Sequence, residues 1–167
     1  MNAVNQTNQT SITDYFQADH DRLDGLFEDF KKFKRTDYNR AKECFVHFKF
    51  GLQRHIIWEE EILFPLFENK TGMRDFGPTA VMRNEHREIG KRLEDIHQKV
   101  QKSNPESDQE ETALLEILQL HNQKEEQVLY PAIDQMITPE DREMAFIQMR
   151  NVPESRFETC CKHSAGA

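Results

Sequence analysis

No run of apolar residues in this chain approaches the ~20 needed to cross a bilayer, so no membrane partner is expected. The opening segment, Met1 to Thr10, is rich in Asn, Gln and Thr. It has neither a charged start nor an apolar stretch, so it shows no secretory signal. Cysteine is scarce and odd in number: Cys44, Cys160 and Cys161 make no disulfide framework, which fits a reducing cytoplasm. Positive charge is in deficit, with 22 Lys and Arg against 30 Asp and Glu and a net charge of −8. That argues against nucleic acid as the main partner, because phosphate binding needs a basic surface. The one dense basic cluster, Lys31-Lys32-Phe33-Lys34-Arg35, reads as a helix C-terminus, where the macrodipole favours cations. Glycine and proline number six each; with 37% hydrophobic and 31% charged residues this suits one mostly helical domain with polar outer faces.

The helical reading is carried by periodicity. A polar arm (residues 1–10) precedes cap-type residues Ser11, Thr13 and Asp14, which open a first helix reaching about Arg35. Phe16, Leu23, Leu26, Phe27, Phe30 and Phe33 recur along it at helical spacing, and His20 lies on that stripe. A second helix spans about Asp37 to Asn69, with Phe45, Phe48, Leu52, His55, Ile56, Glu59, Ile62, Leu63 and Leu66 inward. Thr71-Gly72 ends it, and Gly77-Pro78 opens a third that runs to about Lys102. A fourth, about Pro105 to Ile137, turns Leu114, Leu118, His121, Glu125, Val128 and Leu129 inward. Thr138-Pro139-Glu140-Asp141 caps a short fifth helix over 138–151, and 152–167 reads as a disordered tail. Four long helices with short links predict an all-α, antiparallel up-down-up-down four-helix bundle over 11–137.

What the chain does contain is an internal echo. At an offset of 66 residues His20 maps onto His86, His55 onto His121 and Glu59 onto Glu125. Around the second histidine His55-Ile-Ile-Trp-Glu59-Glu60-Glu61-Ile-Leu63-Phe-Pro65 repeats as His121-Asn-Gln-Lys-Glu125-Glu126-Gln-Val-Leu129-Tyr-Pro131. Pro65 and Pro131 each remove a backbone donor late in a helix and should bend or end it. A histidine and a glutamate four residues apart share one helix face. The imidazole can then bind one metal terminally while the longer carboxylate reaches to bridge two. His20, His55, Glu59, His86, His121 and Glu125 are therefore the candidate metal ligands. Imidazole with carboxylate suits iron and, less specifically, manganese or zinc; structural zinc would favour thiolates, and calcium or magnesium would favour oxygen donors.

A single His-x3-Glu pair arises by chance in a chain this rich in glutamate, and a lone histidine on an apolar stripe usually belongs to the core. Three correspondences at one offset are harder to obtain by chance, and six inward polar groups are costly without compensation. His47, His97 and His163 have no partner in the echo and read as surface or supporting residues. Glu60, Glu61 and Glu126 read as a solvated face. Asp24, four residues after His20, reads as a hydrogen-bond partner that orients a ligand histidine. Cys160-Cys161-Lys162-His163 reads as a tail without a site.

Asp19-His20-Asp-Arg-Leu23-Asp24, His55-x3-Glu59-Glu60-x2-Leu-Phe-Pro65, Glu85-His86-Arg-Glu and His121-x3-Glu125-Glu126-x2-Leu-Tyr-Pro131 together resemble the hemerythrin-like family, also called the HHE cation-binding domain. The resemblance covers about residues 14 to 137. It implies a left-handed four-helix bundle and a non-haem centre of two iron ions with an oxo or hydroxo bridge. Glu59 and Glu125 would bridge, His20 and His55 would bind one iron, and His86 and His121 the other. Oxygen carriers of the family have a His-x3-His pair on the third helix and a more widely spaced His/Asp pair on the fourth. Here Gly90 follows His86 at four residues and Glu125 follows His121, so both irons are expected to keep an exchangeable position. This pattern looks more like the family's iron-centre-repair proteins of nitrosative stress and its peroxide consumers. Those repair proteins carry an added histidine between the first two ligands; His47 lies in that interval, but the segment is shorter here and the role does not transfer. Ferritin-like proteins would need two Glu-x2-His motifs, and only Glu94-Asp-Ile-His97 occurs.

The expected function is thus binding of, and reaction with, a small oxidant (O2, NO or hydrogen peroxide), with electrons from an unidentified donor. The competing class is a binding module for reversible O2 carriage, iron storage or delivery, or sensing, and Gly90 weakens simple carriage. A metal-free helical interaction protein would need every inward polar group paired otherwise.

Overall fold

The computed structural model describes residues 10–157, and every regular element among them is helical. Most of the expected N-terminal arm, and the Cys160-Cys161-Lys162-His163 tail, lie outside the described residues. Helix α1 (Ile12–Phe33) starts at Ser11, whose side chain accepts the Asp14 amide at 3.0 Å. A second cap comes from far along the chain. The Asp134 carboxylate accepts the Ile12 and Thr13 amides at 2.9 and 3.0 Å and the Thr13 hydroxyl at 2.6 Å. The basic cluster at the other end of α1 is more than a dipole effect. Lys34 is buried and its ammonium pairs with Glu111 and, at 3.0 Å, with Asp108, the first residues of another helix.

Helix α2 (Tyr38–Trp58) continues through a π turn (Glu59–Leu63) into α3 (Phe64–Thr71), where Gly72 ends it with φ 74°. Gly77, at φ 88°, leads into Pro78 at the start of α4 (Pro78–Gln101). Positive φ at both glycines is what the turn between these helices requires. The fourth rod begins at Asp108 rather than Pro105: α5 (Asp108–Lys124), a π turn (Glu125–Leu129) and α6 (Tyr130–Met136). Ser103 adopts φ 51° and the Asn104 side chain accepts the Glu106 amide at 2.9 Å, so the turn consumes the residues expected to be helical. Helix α7 (Pro139–Asn151) has the expected capping box of Thr138 and Asp141. The ordered chain then runs past 151, where a disordered tail was expected. A 3-10 turn (Glu154–Arg156) leads to Phe157, buried edge-on against Trp58 and Phe50.

Both prolines are handled by the π turns. A proline has no N–H to give the carbonyl four residues back, and in each rod the residue before it bonds five back instead, Phe64 to Glu59 and Tyr130 to Glu125. The helix therefore passes Pro65 and Pro131 without ending. One inward assignment fails here: Val128 is 62% exposed. Its repeat counterpart Ile62 is buried because α7 packs on that face, and among the described residues nothing equivalent covers Val128.

The helices pack antiparallel around two separate apolar clusters. One holds Leu23, Phe27, Phe30, Phe45, Phe48, Leu93 and Ile96; the other holds Ile12, Phe16, Trp58, Phe64, Phe67 and Ile133, with Ala145 and Met149 of α7. Each such side chain contributes about 1.5–3 kcal/mol relative to exposure. Helices α1 and α2 approach closely at Gly51, where an added Cβ would lie 2.6 Å from Leu23 Cδ2. Among the described residues no helix is long and apolar enough to cross a membrane.

Candidate metal centre

Between the two apolar clusters lies a buried polar layer. His20 comes from α1, His55 from α2, Glu59 and Glu125 from the first residues of the two π turns, His86 from α4 and His121 from α5. All six are buried, and both glutamates are fully so. Their donor atoms form two groups, Glu59, His86, His121 and Glu125 in one and His20, His55 and Glu125 in the other, each within 4.8 Å of one another. Glu125 belongs to both. His121 Nε2 lies 3.0 Å from Glu125 Oε1, and His20 Nε2 lies 3.4 Å from Glu125 Oε2. Glu59 spans the gap likewise, with Oε2 3.1 Å from His86 Nε2 and Oε1 3.4 Å from His55 Nε2.

Each imidazole is held from behind by a carboxylate. Nδ1 of His20 donates to Glu126 at 2.7 Å, His55 to Asp19 at 2.9 Å, His86 to Glu60 at 2.8 Å and His121 to Glu85 at 2.8 Å. Protonation of Nδ1 leaves Nε2 aimed into the layer, the arrangement that orients metal-binding imidazoles. This overturns two expectations. Glu60 and Glu126 do not simply face solvent, and Asp24 makes no such bond; its carboxyl is only partly desolvated, which pushes its pKa up. The signal was available, since Asp19 and Glu85, like Glu60 and Glu126, are 66 apart. The expected solvated assignment does hold for Glu61, which pairs with Arg156 on the surface.

The two-fold echo breaks at one aromatic pair. Tyr130 is fully buried and its hydroxyl lies 2.5 Å from Glu59 Oε1, 2.9 Å from Glu125 Oε2, 3.3 Å from His55 Nε2 and 3.4 Å from His20 Nε2. Its counterpart 66 residues earlier is Phe64, whose ring stacks on His86 at 5.8 Å and has no oxygen to offer. The two halves of the layer are therefore not equivalent around their aromatic neighbours. Three buried polar atoms, Glu59 Oε2, His86 Nε2 and Glu125 Oε1, all on the Phe64 side, lie in ion-pair contact at 3.0–3.1 Å yet make no well-aligned hydrogen bond. Each would cost about 1–3 kcal/mol if left unpaired, and a cation among them satisfies all three. With only imidazole nitrogen and carboxylate oxygen in both groups, the donor set fits a transition metal such as iron.

Electrostatics agree with that fit. Burial alone would lower the His55 pKa, but Glu59 and Asp19 outweigh it and raise it to about 10. His86 is likewise raised to about 9 against burial by Glu59, Glu60 and Glu125. Glu59 would be pushed up by burial, yet His55 and His86 hold it well below the usual carboxylate range. Burial, Glu125 and Glu59 push the Tyr130 hydroxyl well up. Glu59 is thus held as a carboxylate by imidazole protons that a metal could replace.

Other candidates fall outside. His47 is exposed, while His97 bonds Glu94 at 3.2 Å and stacks near Phe45, so the lone Glu-x2-His motif turns inward on itself. Trp58 and Phe48 belong to the two apolar clusters. At Gly90, one turn beyond His86, an added Cβ would meet no atom within 4 Å.

A family model described as the hemerythrin HHE cation binding domain matches residues 11–133. The chain is 49% identical over 45 residues to an iron-sulfur cluster repair protein YtfE of Edwardsiella ictaluri, covering 27% of this chain and 20% of that one. It is 44% identical over 45 residues, with the same coverage, to proteins of the same description from Escherichia coli K12 and Shigella boydii. The match thus spans about a fifth of the length of these curated relatives. No solved structure matches the chain significantly.

Proposed function

This chain belongs to the hemerythrin HHE cation-binding family, and on that footing we propose a protein of two iron ions that binds and reacts with O2, NO or hydrogen peroxide, in oxidative or nitrosative stress or iron-centre repair. The observation that carries this reading is the pair of buried His/Glu groups joined through Glu125. His20 and His55 would hold one ion, His86 and His121 the other, with Glu59 and Glu125 spanning both. Bound ferrous ions would supply electrons and Lewis acidity to the small ligand. Asp19, Glu60, Glu85 and Glu126 keep the imidazole Nε2 atoms aimed inward, and the apolar clusters on either side keep water from the layer. A reductant from outside the chain would renew the electrons, and a reducing cytoplasm suits that supply. The similarity to iron-sulfur cluster repair proteins favours the repair branch as a second reading, in which iron is delivered rather than retained.

Anaerobic loading with ferrous iron should give two irons per chain. O2, NO and peroxide are then added separately with a reductant. Repeated consumption supports a reactive centre, a reversible spectral change indicates a carrier, and transfer of iron to an acceptor indicates delivery. Retention of both irons by His20→Ala and Glu125→Ala would overturn the site itself.

A further inference from the structure

The two halves of the layer differ at Tyr130 and Phe64, and the difference has a chemical meaning. The Tyr130 oxygen sits within 3.4 Å of four donor atoms: both spanning carboxylates and both imidazoles of the His20 side. A hydroxyl has one proton to give. Glu59 Oε1 at 2.5 Å and Glu125 Oε2 at 2.9 Å both lie within reach of that proton, which can serve only one of them at a time. A cation at the centre of these groups removes that conflict, because all five atoms then become its donors. The opposite side has the reverse character, with a ring lacking an oxygen and three buried atoms that make no well-aligned hydrogen bond.

We propose that Tyr130 donates its phenolic oxygen as a further protein ligand to the ion on the His20/His55 side, so that external ligands enter on the His86/His121 side. The inference rests on the two-iron reading above. On coordination to ferric iron the O–H bond breaks, the Fe–O bond forms and the proton passes to solvent; no electron is transferred.

The test is optical. Protein loaded with ferric iron should show a phenolate-to-iron charge-transfer band in the visible, and resonance Raman excited in that band should enhance tyrosine ring modes that shift on ring-deuteration of tyrosine. Tyr130→Phe should keep two irons and lose those modes, whereas the mirror variant Phe64→Tyr should gain a second set. Azide, used as the probe of open positions, should bind once per pair of irons in the wild type and twice in Tyr130→Phe. Absence of tyrosine modes in a protein containing two irons, or their persistence in Tyr130→Phe, overturns the proposal while leaving the two-iron centre standing. Failure of the wild type to bind iron refutes the centre instead. If Tyr130→Phe folds but holds no iron, the deuterated wild type and Phe64→Tyr decide alone.

Discussion

Replacing each outer carboxylate by alanine should weaken the hold on ferrous iron in an order set by water access. The side chains are 9% exposed for Asp19, 22% for Glu85, 25% for Glu126 and 34% for Glu60. Loss of such a partner costs about 10- to 100-fold in metal affinity, or about 1.4–2.7 kcal/mol. Where water can take over the Nδ1–H bond the cost falls to the lower end. Asp19→Ala is therefore expected near 100-fold and Glu60→Ala near tenfold, as order-of-magnitude figures, with Glu85→Ala and Glu126→Ala between. Asp19 also pairs with Arg22, so Asp19→Asn, which keeps an acceptor, should recover part of the loss. Glu61→Ala is the control, since Glu61 neighbours Glu60 but faces Arg156. The assay is anaerobic competition for ferrous iron against a coloured chelator. Equal losses in Glu60→Ala and Glu61→Ala, or none in any of the four, would refute the reasoning.

Two glycines should respond in opposite directions to alanine, read by urea unfolding. Gly51→Ala places a methyl against Leu23 and should destabilise by about 1–3 kcal/mol; Gly90→Ala meets open space and should stabilise by up to about 1 kcal/mol. Asp134→Ala strips the long-range cap from α1 and should cost about 1–2 kcal/mol, with faster amide exchange at Ile12 and Thr13; unchanged exchange there would count against it. In chelator-treated protein the raised pKa values of His55 and His86 stabilise the fold fully below about 6.5, their ordinary value, and that contribution is lost as pH climbs through about 9 and 10. Tm measured from pH 6 to 10 should fall, and a flat profile contradicts the assignment.

The helical rods and the six inward histidines and glutamates were legible because both are local properties of the chain. A 3.6-residue period places His20 on the same stripe as Phe16 and Leu23, and a four-residue step sets Glu59 beside His55 on one face. The start of α5 was placed at Pro105, a residue that suits a first helical turn, whereas the Asn104 side chain takes the Glu106 amide and delays the helix to Asp108. Val128 was misjudged because inward and outward differ only by whether α7 covers the face.

By itself the sequence determined that two halves would each bring two histidines and a glutamate to a helical interior, since spacing and repetition are properties of the chain alone. Only the tertiary structure decided which carboxylate stands behind which imidazole. The pairs His20–Glu126 and His86–Glu60 cross from one half to the other, and such a bond is set by how helices pack. The same holds for Tyr130 and Phe64. As letters they are a conservative pair of aromatics, and only packing puts one hydroxyl among four donors and stacks the other ring on His86.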